Sequence, residues 1–249
     1  CLTLHGRAFS ILNTYVQPGA KLLILTDDGS TPGKIANALC EMDYSESRIN
    51  VFERMDSASE GTVQSTAADW LGAKTDDFNT VAVECIAGRG ATLRSRIPGL
   101  ADEAFVNDGQ LTKREVRAMT LASLCPTPGE MLWDVGAGCG SVAIEWMRVH
   151  PRNEAVAIES NPDRVQIIAT NAEALGTPGL QVIASKAPNA FAELPAPNAI
   201  FIGGGLSNEG LIEASWTALR PGGRLVANVV TVEGERRLMD WRENYGGDL

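Results

Sequence analysis

The hydrophobic and polar positions in the second half of the chain predict strands and helices in regular alternation. Five short apolar runs have the length and composition of buried strands, and they cover residues 131–135, 155–159, 180–184, 199–202 and 224–230. Segments with helical spacing of apolar residues lie around them, at residues 112–124, 141–149, 163–175, 208–219 and 233–245. This order predicts parallel strands joined by right-handed crossovers, and hence an α/β fold.

The first half alternates in a similar way but has fewer elements. An apolar run at residues 21–26 predicts a buried strand, and Thr31 and Pro32 predict the start of a helix that extends to Met42. The other predicted elements are a strand at residues 48–54, a helix at residues 60–71 and a strand at residues 80–85. Residues 88–110 carry glycines, a proline and three arginines without a clear period, so they are interpreted as a linker that leads into the second domain.

The sequence WDVGAGCGS at residues 133–141 places three glycines directly after the first predicted strand of the second half. In α/β sheets of this kind, ligands bind beside the carboxyl ends of the strands, and the loop after the first strand has the principal position. Gly136 and Gly138 permit a tight turn and a close approach of backbone to ligand. Gly140 lets the next helix pack close to the strand, and Ala137 is small enough to leave the approach open.

The spacing within this loop separates three kinds of cofactor. A phosphate-binding loop requires a lysine after its last glycine, which this loop lacks, and GSTPGKI at residues 29–35 has the wrong spacing. A dinucleotide fingerprint requires glycine or alanine where Ser141 stands, and Asp134 would sit poorly beside a pyrophosphate. S-adenosylmethionine fits better, because Asp134 supplies a carboxylate near its methionine end, directly or through water, and Glu159 can accept both ribose hydroxyls. A nicotinamide dinucleotide and an unused site remain the alternatives.

Composition and charge narrow the class of protein. The 249 residues carry a formal net charge of −10, which argues against non-specific nucleic-acid binding. Five scattered cysteines and two histidines give no spacing typical of a metal site, so no metal is predicted. No apolar run approaches the roughly 18 residues of a membrane span, and no signal peptide is recognisable. We therefore expect a cytoplasmic protein with free thiols and no membrane partner.

The segments GQLTKREVRAMTLASL, LWDVGAGCGSVAIEW and FIGGG closely resemble the C-terminal methyltransferase domain of the precorrin-6Y C5,15-methyltransferase (decarboxylating) family of cobalamin biosynthesis. The resemblance extends from about residue 102 to the end of the chain. In the first half, LTLHGRAF, LILTDDGSTPGKIA and TVAVECIAG resemble the second half of that family's N-terminal tetrapyrrole methylase domain. Because the chain starts with Cys1 inside a strand-like segment, we interpret it as a fragment, and we expect the first domain's own cofactor loop to precede it.

The resemblance implies a domain organisation and a fold. We expect the C-terminal half of a tetrapyrrole methylase α/β domain at residues 1–88, a linker at residues 89–107 and a Rossmann-like class I S-adenosylmethionine methyltransferase domain at residues 108–249. The class I fold normally has seven strands, the last of them antiparallel. Here we expect it to be truncated after strand five, which would leave that strand as an exposed edge. A homo-oligomer is also expected, since relatives of this domain often form tetramers.

The resemblance further implies a reaction. Members of the family use S-adenosylmethionine to methylate carbon 15 of a precorrin tetrapyrrole and remove carbon dioxide from the ring C acetate side chain. An electron-rich ring carbon attacks the sulfonium methyl group, so the enzyme acts mainly by aligning the reactants and holding the substrate carboxylates. The sequence does not identify a catalytic residue. The alternatives are a class I methyltransferase with a different acceptor and an inactive cofactor-binding module.

The implied site residues fall into two groups. Together with Asp134, the residues expected at the cofactor are Thr112, Gly136, Ala137, Gly138, Cys139, Gly140, Glu159 and Ala187. The residues expected at the substrate are Lys113 and Arg117 as carboxylate clamps, and Gly203 and Gly204 as space for the flat macrocycle.

Local patterns offer simpler interpretations for part of this set. Thr112 and Glu115 have the spacing of a capping box at the start of a helix. Lys113 and Arg117 lie four residues apart, so they share a helical face that is otherwise expected to be solvated. Lys186 stands where many relatives have an acid, which removes the side-chain acceptor that those relatives offer to the adenine amine.

Overall fold

In a computed structural model that describes residues 1–70 and 72–249, the chain divides into two units, Cys1–Ser95 and Arg96–Leu249. The strands of the first unit are β1 (Leu2–Thr3), β2 (Lys21–Leu25), β3 (Arg48–Glu53), β4 (Gly61–Thr66) and β5 (Asn79–Glu84). Its helices are α1 (Leu12–Tyr15) and α2 (Thr31–Glu41).

The sheet of the first unit is mixed and has the order β1-β2-β5-β3-β4. β1 and β2 are parallel, whereas β5 runs antiparallel to both β2 and β3, and β4 runs antiparallel to β3. Ile24, Ile49 and Val81 are fully buried at the centre of the core beneath it. The carboxyl ends of these strands therefore do not meet at one edge.

The helix predicted at residues 60–71 is wrong, because β4 occupies most of this segment. All six of its residues pair with β3, from Glu53 opposite Gly61 to Arg48 opposite Thr66. Thr62, Val63 and Thr66 are β-branched and favour the extended backbone of a strand. The segment forms a strand because it pairs with β3. The local spacing of apolar residues does not reveal this pairing, since β3 is a separate segment of the chain. Leu71, the last residue of the predicted helix, lies outside the described residues.

The second unit contains the regular alternation that its sequence predicts. Its strands are β6 (Met131–Val135), β7 (Glu154–Glu159), β8 (Gln181–Ala184), β9 (Ala199–Ile202) and β10 (Arg224–Ala227). Its helices are α3 (Arg114–Leu124), α4 (Ser141–Val149), α5 (Pro162–Ala174), α6 (Leu211–Ala218) and α7 (Val232–Tyr245). The sheet order is β10-β9-β6-β7-β8 and every neighbouring pair is parallel, so the predicted parallel α/β fold is confirmed.

Helices cover both faces of this second sheet. Leu132 of β6 points into a core formed with α3, α4 and α5, while Trp133 and Val135 point into the opposite core with α6 and α7. The chain order reverses at β6, which has β7 on one side and β9 on the other. This reversal is the point at which parallel α/β sheets form their ligand crevice.

Residues 96–107, predicted to belong to a linker, pack into the second unit. Leu100 and Phe105 are buried in its core. Arg96 donates from Nε to the carbonyl oxygen of Arg148 at 2.9 Å and from Nη2 to that of Val149 at 3.0 Å. These bonds satisfy carbonyl groups at the C-terminal end of α4. Because the composition of this segment is mostly polar, its sequence did not indicate that Leu100 and Phe105 would be buried or that Arg96 would cap α4.

The predicted capping box at Thr112 and Glu115 is also wrong. Helix α3 begins at Arg114, its N-cap is Lys113, and no side chain caps it. The carbonyl oxygen of Thr112 instead accepts a hydrogen bond from Nη1 of Arg117. Within the described residues, no helix has the combination of length and apolar character needed to cross a membrane.

Candidate active site

A cleft with a volume of about 480 Å³ lies at the carboxyl ends of the parallel strands of the second unit. Its walls come from the loops after β6, β7, β8, β9 and β10 and from the start of α3. Ten of the sequence-predicted site residues line it: Thr112, Lys113, Gly136, Ala137, Gly138, Cys139, Glu159, Ala187, Gly203 and Gly204. The other three, Asp134, Gly140 and Arg117, lie behind its surface.

The glycine loop after β6 lies directly against the loop after β9. Gly136 has φ +70°, and a Cβ atom there would lie 2.8 Å from the backbone nitrogen of Gly204. The amides of Gly136 and Ala137 both donate to the carbonyl oxygen of Ile158, at 2.9 and 3.2 Å. Glycine at 136 is therefore required both by backbone conformation and by the close approach of the two loops.

Gly140 has a structural function and does not line the cleft, so its contact with a cofactor stays a prediction. It is the N-cap of α4 with φ +79°, and a Cβ atom there would lie 3.0 Å from Cγ2 of Ile168 on α5. The residue is buried and lets α4 and α5 pack closely. This position matches the packing function expected of the third glycine.

Glu159, the last residue of β7, presents a carboxylate to the cleft. Its Oε2 accepts a hydrogen bond from the amide of Gly138 at 2.9 Å, and its Oε1 accepts one from the amide of Asn161 at 2.9 Å. A carboxylate has about four acceptor positions, so each oxygen retains capacity for one further donor. The two backbone bonds fix the carboxylate beside the glycine loop.

Asp134 is buried inside the sheet and does not line the cleft, which disfavours the direct cofactor contact, while the contact through water stays a prediction. Its Oδ2 accepts a hydrogen bond from the amide of Ala143 at 3.0 Å, in the first turn of α4. Its Oδ1 has no partner among the described residues. Burial raises the pKa of Asp134 to about 7, the Ala143 bond opposes that rise, and the nearby charge of Glu159 adds to it.

Arg117 is fully buried, so the prediction that it binds substrate carboxylates is wrong. Its Nε donates to Oε1 of Glu145 at 2.6 Å, and its Nη1 lies 3.2 Å from Oδ1 of Asp102. Its Nη2 donates to the carbonyl oxygen of Leu100. The guanidinium therefore holds the segment before α3 in place. Lys113, one turn earlier, has a side chain that is 68% exposed, and it lines the cleft.

A buried asparagine joins this segment to the glycine loop. Asn171 of α5 donates from Nδ2 to the carbonyl oxygens of Val106 and Cys139, at 2.8 and 2.9 Å. Its Oδ1 accepts a hydrogen bond from the amide of Val106 at 2.9 Å. Burial also raises the pKa of the Cys139 thiol, which matches the packing function that its sequence context predicts.

Several polar residues of the cleft were missed by sequence reasoning: Gln110, Ser141, Ser160, Arg164, Ser185, Asn208 and Asn228. Ser160, Ser185 and Asn228 each follow a strand by one residue. For Ser160 and Ser185, the position directly after a predicted parallel strand was a usable signal, because such residues lie at the ligand-binding edge of the sheet. Asn228 fell inside the strand predicted at residues 224–230, so this signal did not apply to it.

Comparison with known proteins identifies the family. The family model described as precorrin methyltransferase domain matches residues 103–249, which is more than half of the chain. The chain belongs to this family. A precorrin-6Y C(5,15)-methyltransferase [decarboxylating] from Sinorhizobium sp is 43% identical over 248 residues, which cover 100% of this chain and 60% of that protein. The chain thus spans less than two thirds of the length of this relative.

Solved structures agree with this family assignment. The C-terminal domain of precorrin-6Y C5,15-methyltransferase from Rhodobacter capsulatus is 43% identical, with a TM-score of 0.59 over 62% of this chain and 83% of that one. A SAM-dependent O-methyltransferase from Thermotoga maritima has a TM-score of 0.53 over 83% of this chain and 80% of that one, at 13% identity. The second comparison bears on the fold alone, and the predicted class I methyltransferase fold is confirmed.

Proposed function

We propose that the second unit is the catalytic domain of an S-adenosylmethionine-dependent methyltransferase. In this proposal it methylates a precorrin tetrapyrrole at carbon 15 and removes carbon dioxide from the ring C acetate side chain. The first unit is then the C-terminal half of a tetrapyrrole methylase domain. Family membership and the relatives' names support the reaction, and the geometry of the cleft supports the cofactor.

The Glu159 carboxylate at the glycine loop supports the choice of cofactor. A dinucleotide places its pyrophosphate against the backbone amides at the N-terminus of the helix after the first strand. Here Glu159 already accepts the Gly138 amide, and Asp134 accepts the Ala143 amide in the first turn of α4. A phosphate at this position would meet the Glu159 carboxylate and would find the Ala143 amide already bonded to the buried Asp134, whereas a sulfonium-bearing adenosine brings positive charge and two ribose hydroxyls.

Several residues of this chain would contact the cofactor. Glu159 would accept the ribose hydroxyls, Gly136 and Gly138 would let backbone approach the cofactor, and Ala187 would lie at the adenine. Bound S-adenosylmethionine supplies an activated methyl group, and the protein contributes by holding the acceptor carbon in line with it.

The charges at the cleft fit a polycarboxylate acceptor. Among the described residues that line it, the charged ones are Lys113, Glu159, Arg164 and Lys186. Three cations therefore surround the cleft of a chain whose formal net charge is −10. Arg164 pairs with Asp108 at 2.8 Å, and Lys113 lies 3.7 Å from Asp102. Lys113 and Lys186 are nevertheless exposed and can turn toward substrate carboxylates.

A binding titration tests the cofactor. S-adenosylhomocysteine is expected to bind and NADH is not, as measured by calorimetry. Glu159→Gln should weaken S-adenosylhomocysteine binding by about 10- to 100-fold, because charge-assisted hydrogen bonds to the ribose are lost. The matched control is Glu154→Gln, at the exposed opposite end of the same strand, which should leave binding unchanged. Tight NADH binding without S-adenosylhomocysteine binding would sink the proposal.

Turnover tests the acceptor. The complete gene product, given S-adenosylmethionine and the reduced tetrapyrrole, should release one carbon dioxide for each methyl group transferred to carbon 15. Methyl transfer to that position without carbon dioxide would remove the decarboxylation from the proposal. Cofactor binding without any methylation of the tetrapyrrole would instead indicate a different acceptor.

A further inference from the structure

Asn228 lies at the carboxyl edge of the sheet, on the side of the cleft opposite to Glu159. It directly follows β10, and its backbone amide donates to the carbonyl oxygen of Ile202 at 3.0 Å, next to Gly203. In the sheet order, β10 and β9 lie on one side of β6, while β7 with Glu159 lies on the other. Asn228 therefore faces the half of the cleft that the proposed cofactor leaves to the acceptor.

The side chain of Asn228 is held in one orientation by a buried threonine. Its Nδ2 donates to Oγ1 of Thr120 at 2.9 Å, and Thr120 is 3% exposed on α3. Val116, one helical turn before Thr120, lines the cleft, so this face of α3 is directed toward it. With Nδ2 engaged, Oδ1 accepts no hydrogen bond from the described residues and is available to a ligand.

We propose that Oδ1 of Asn228 accepts a hydrogen bond from a ring N–H group of the acceptor and stabilises the positive charge that this ring gains during methyl transfer. This inference rests on the proposed function. A carboxamide suits the task because its oxygen is an acceptor at every pH and carries no charge that would have to be removed from water. Asn228 would then be a catalytic residue.

The charge that Asn228 would stabilise follows from the electron balance of the reaction. The π electron pair of the acceptor carbon forms the new bond to the methyl group. The pair of the sulfur–methyl bond stays on sulfur, which gives neutral S-adenosylhomocysteine. The positive charge passes to the acceptor and is shared with the conjugated ring nitrogen. When the acetate side chain loses carbon dioxide, the electron pair of the broken carbon–carbon bond neutralises the cation.

A fixed dipole is effective here because the charge exists on the ring only from the transition state onward. The Thr120 bond sets the direction of the Asn228 dipole before the reaction begins, so little reorganisation is needed at the moment of transfer. The contact would be stronger in the transition state than with bound substrate, and its loss should therefore lower kcat more than it raises KM.

Three variants test this inference in the complete gene product. Asn228→Ala should lower kcat for methyl transfer by about 10- to 100-fold, the range of a charge-assisted hydrogen bond. Its Kd for S-adenosylhomocysteine should stay within about twofold of the unmodified protein. Asn228→Asp keeps an oxygen acceptor and should recover most of the rate. Thr120→Val frees the carboxamide to rotate and should cause a smaller loss of kcat, with unchanged cofactor binding.

The control is Asn244→Ala, which makes the same change on the exposed surface of α7 and should leave kcat unchanged. An Asn228→Ala protein with unchanged kcat overturns the inference while leaving the proposed function intact. Equal losses of kcat and of S-adenosylhomocysteine binding also overturn it, since they would assign Asn228 to the cofactor site or to the fold. If the unmodified protein binds S-adenosylhomocysteine but never methylates the tetrapyrrole, the proposed function fails first.

Discussion

In the first sheet, β5 lies between β2 and β3 and runs antiparallel to both, whereas every neighbouring pair of strands in the second sheet is parallel. Antiparallel neighbours send their carboxyl ends to opposite edges of a sheet, while parallel neighbours bring them to the same edge. The loops after β6, β7 and β9 therefore meet in the second unit, and the residues that follow these strands form one cleft.

The same contrast extends to charged side chains. In the second unit an arginine and a glutamate form an ion pair that is removed from water: Arg117 is 0% and Glu145 is 2% exposed. In the first unit, Arg48 and Glu84 form a pair between neighbouring strands, and their side chains are 68% and 38% exposed. The two arginine–glutamate pairs therefore differ in effect: the buried pair fixes the surrounding backbone, whereas the exposed pair is screened by solvent.

The largest effect is expected from breaking the buried pair. Arg117→Met would leave Glu145 and Asp102 without their guanidinium partner, and we expect the second unit to lose about 3–5 kcal/mol of unfolding free energy. Hydrogen exchange during urea unfolding would measure this, since amides of β6 and β2 report on the two units separately. The first unit should be unaffected. The matched control, Arg236→Met on the exposed face of α7, should change neither unit.

Arg117→Lys distinguishes geometry from charge. A lysine keeps the positive charge but has no planar set of donors for Glu145, Asp102 and the carbonyl of Leu100 together. We expect it to recover a minor part of the lost stability. Full recovery by lysine would show that charge alone, and not the guanidinium geometry, holds the segment before α3.

A smaller but more local effect is expected where two loops of the parallel sheet meet. In Gly136→Ala, the new Cβ would contact the backbone of Gly204 and the residue would remain at positive φ. Strain of this kind costs about 1–3 kcal/mol, and displacement of the loop should abolish S-adenosylhomocysteine binding. Gly222→Ala is the control: its residue also has a positive φ, +79°, but the new Cβ meets open space. It therefore measures the cost of backbone strain without a contact between loops. Equal binding by both variants would contradict a need for close approach at Gly136.

The parts of the structure that were predicted correctly are those whose conformation depends on residues close together in the chain. Strand β6, the glycines after it and Glu159 at the end of β7 follow one another within a single βαβ unit. Their relative positions are fixed by local geometry and by the handedness of the crossover. The prediction of a ligand-binding edge with Glu159 beside the glycine loop needed no knowledge of the rest of the sheet.

The errors and omissions depend on contacts between distant parts of the chain. Helical spacing places Lys113 and Arg117 on one face, but the burial of Arg117 is decided by Glu145, which lies 28 residues away. The helix predicted at residues 60–71 fails because β4 pairs with β3. Asn228 was missed because the predicted strand extended to residue 230, whereas β10 ends at Ala227, and because its partner Thr120 lies 108 residues earlier.

Ionisable groups inside the two sheets differ in how far they are buried. Glu53 and Glu84 of the first sheet lie half-buried at strand ends, whereas Asp134 lies within β6 and is fully buried. Burial raises the pKa of Asp134 to about 7 from an ordinary value of 3.8. A carboxyl whose pKa is raised in the folded state adds stability at low pH, and that stability is lost as the pH rises through about 7.

The Tm of the ligand-free protein should therefore fall between about pH 4 and pH 7 relative to that of Asp134→Asn, which cannot ionise, and level off above that range. Thermal unfolding over this pH range measures the difference. Asp248→Asn makes the same change at an exposed carboxyl and should leave the pH dependence unchanged. Parallel pH profiles for the unmodified protein and Asp134→Asn would show that burial does not perturb this carboxyl.

The smallest effect is expected at the exposed ion pair of the first sheet. Arg48 and Glu84 are directly opposite in the β3–β5 register, and Nη1 of Arg48 lies 3.1 Å from Oε2 of Glu84. Water screens this pair, so Arg48→Met should cost the first unit less than about 1 kcal/mol of unfolding free energy. A double-mutant cycle with Glu84→Gln measures the coupling, and 1 M NaCl should remove most of it, because the Debye length is then about 3 Å. If Arg48→Met costs the first unit as much as Arg117→Met costs the second, burial is not what separates the two pairs. A small, salt-sensitive loss at Arg48 beside a large one at Arg117 would trace the difference to removal of the buried pair from water.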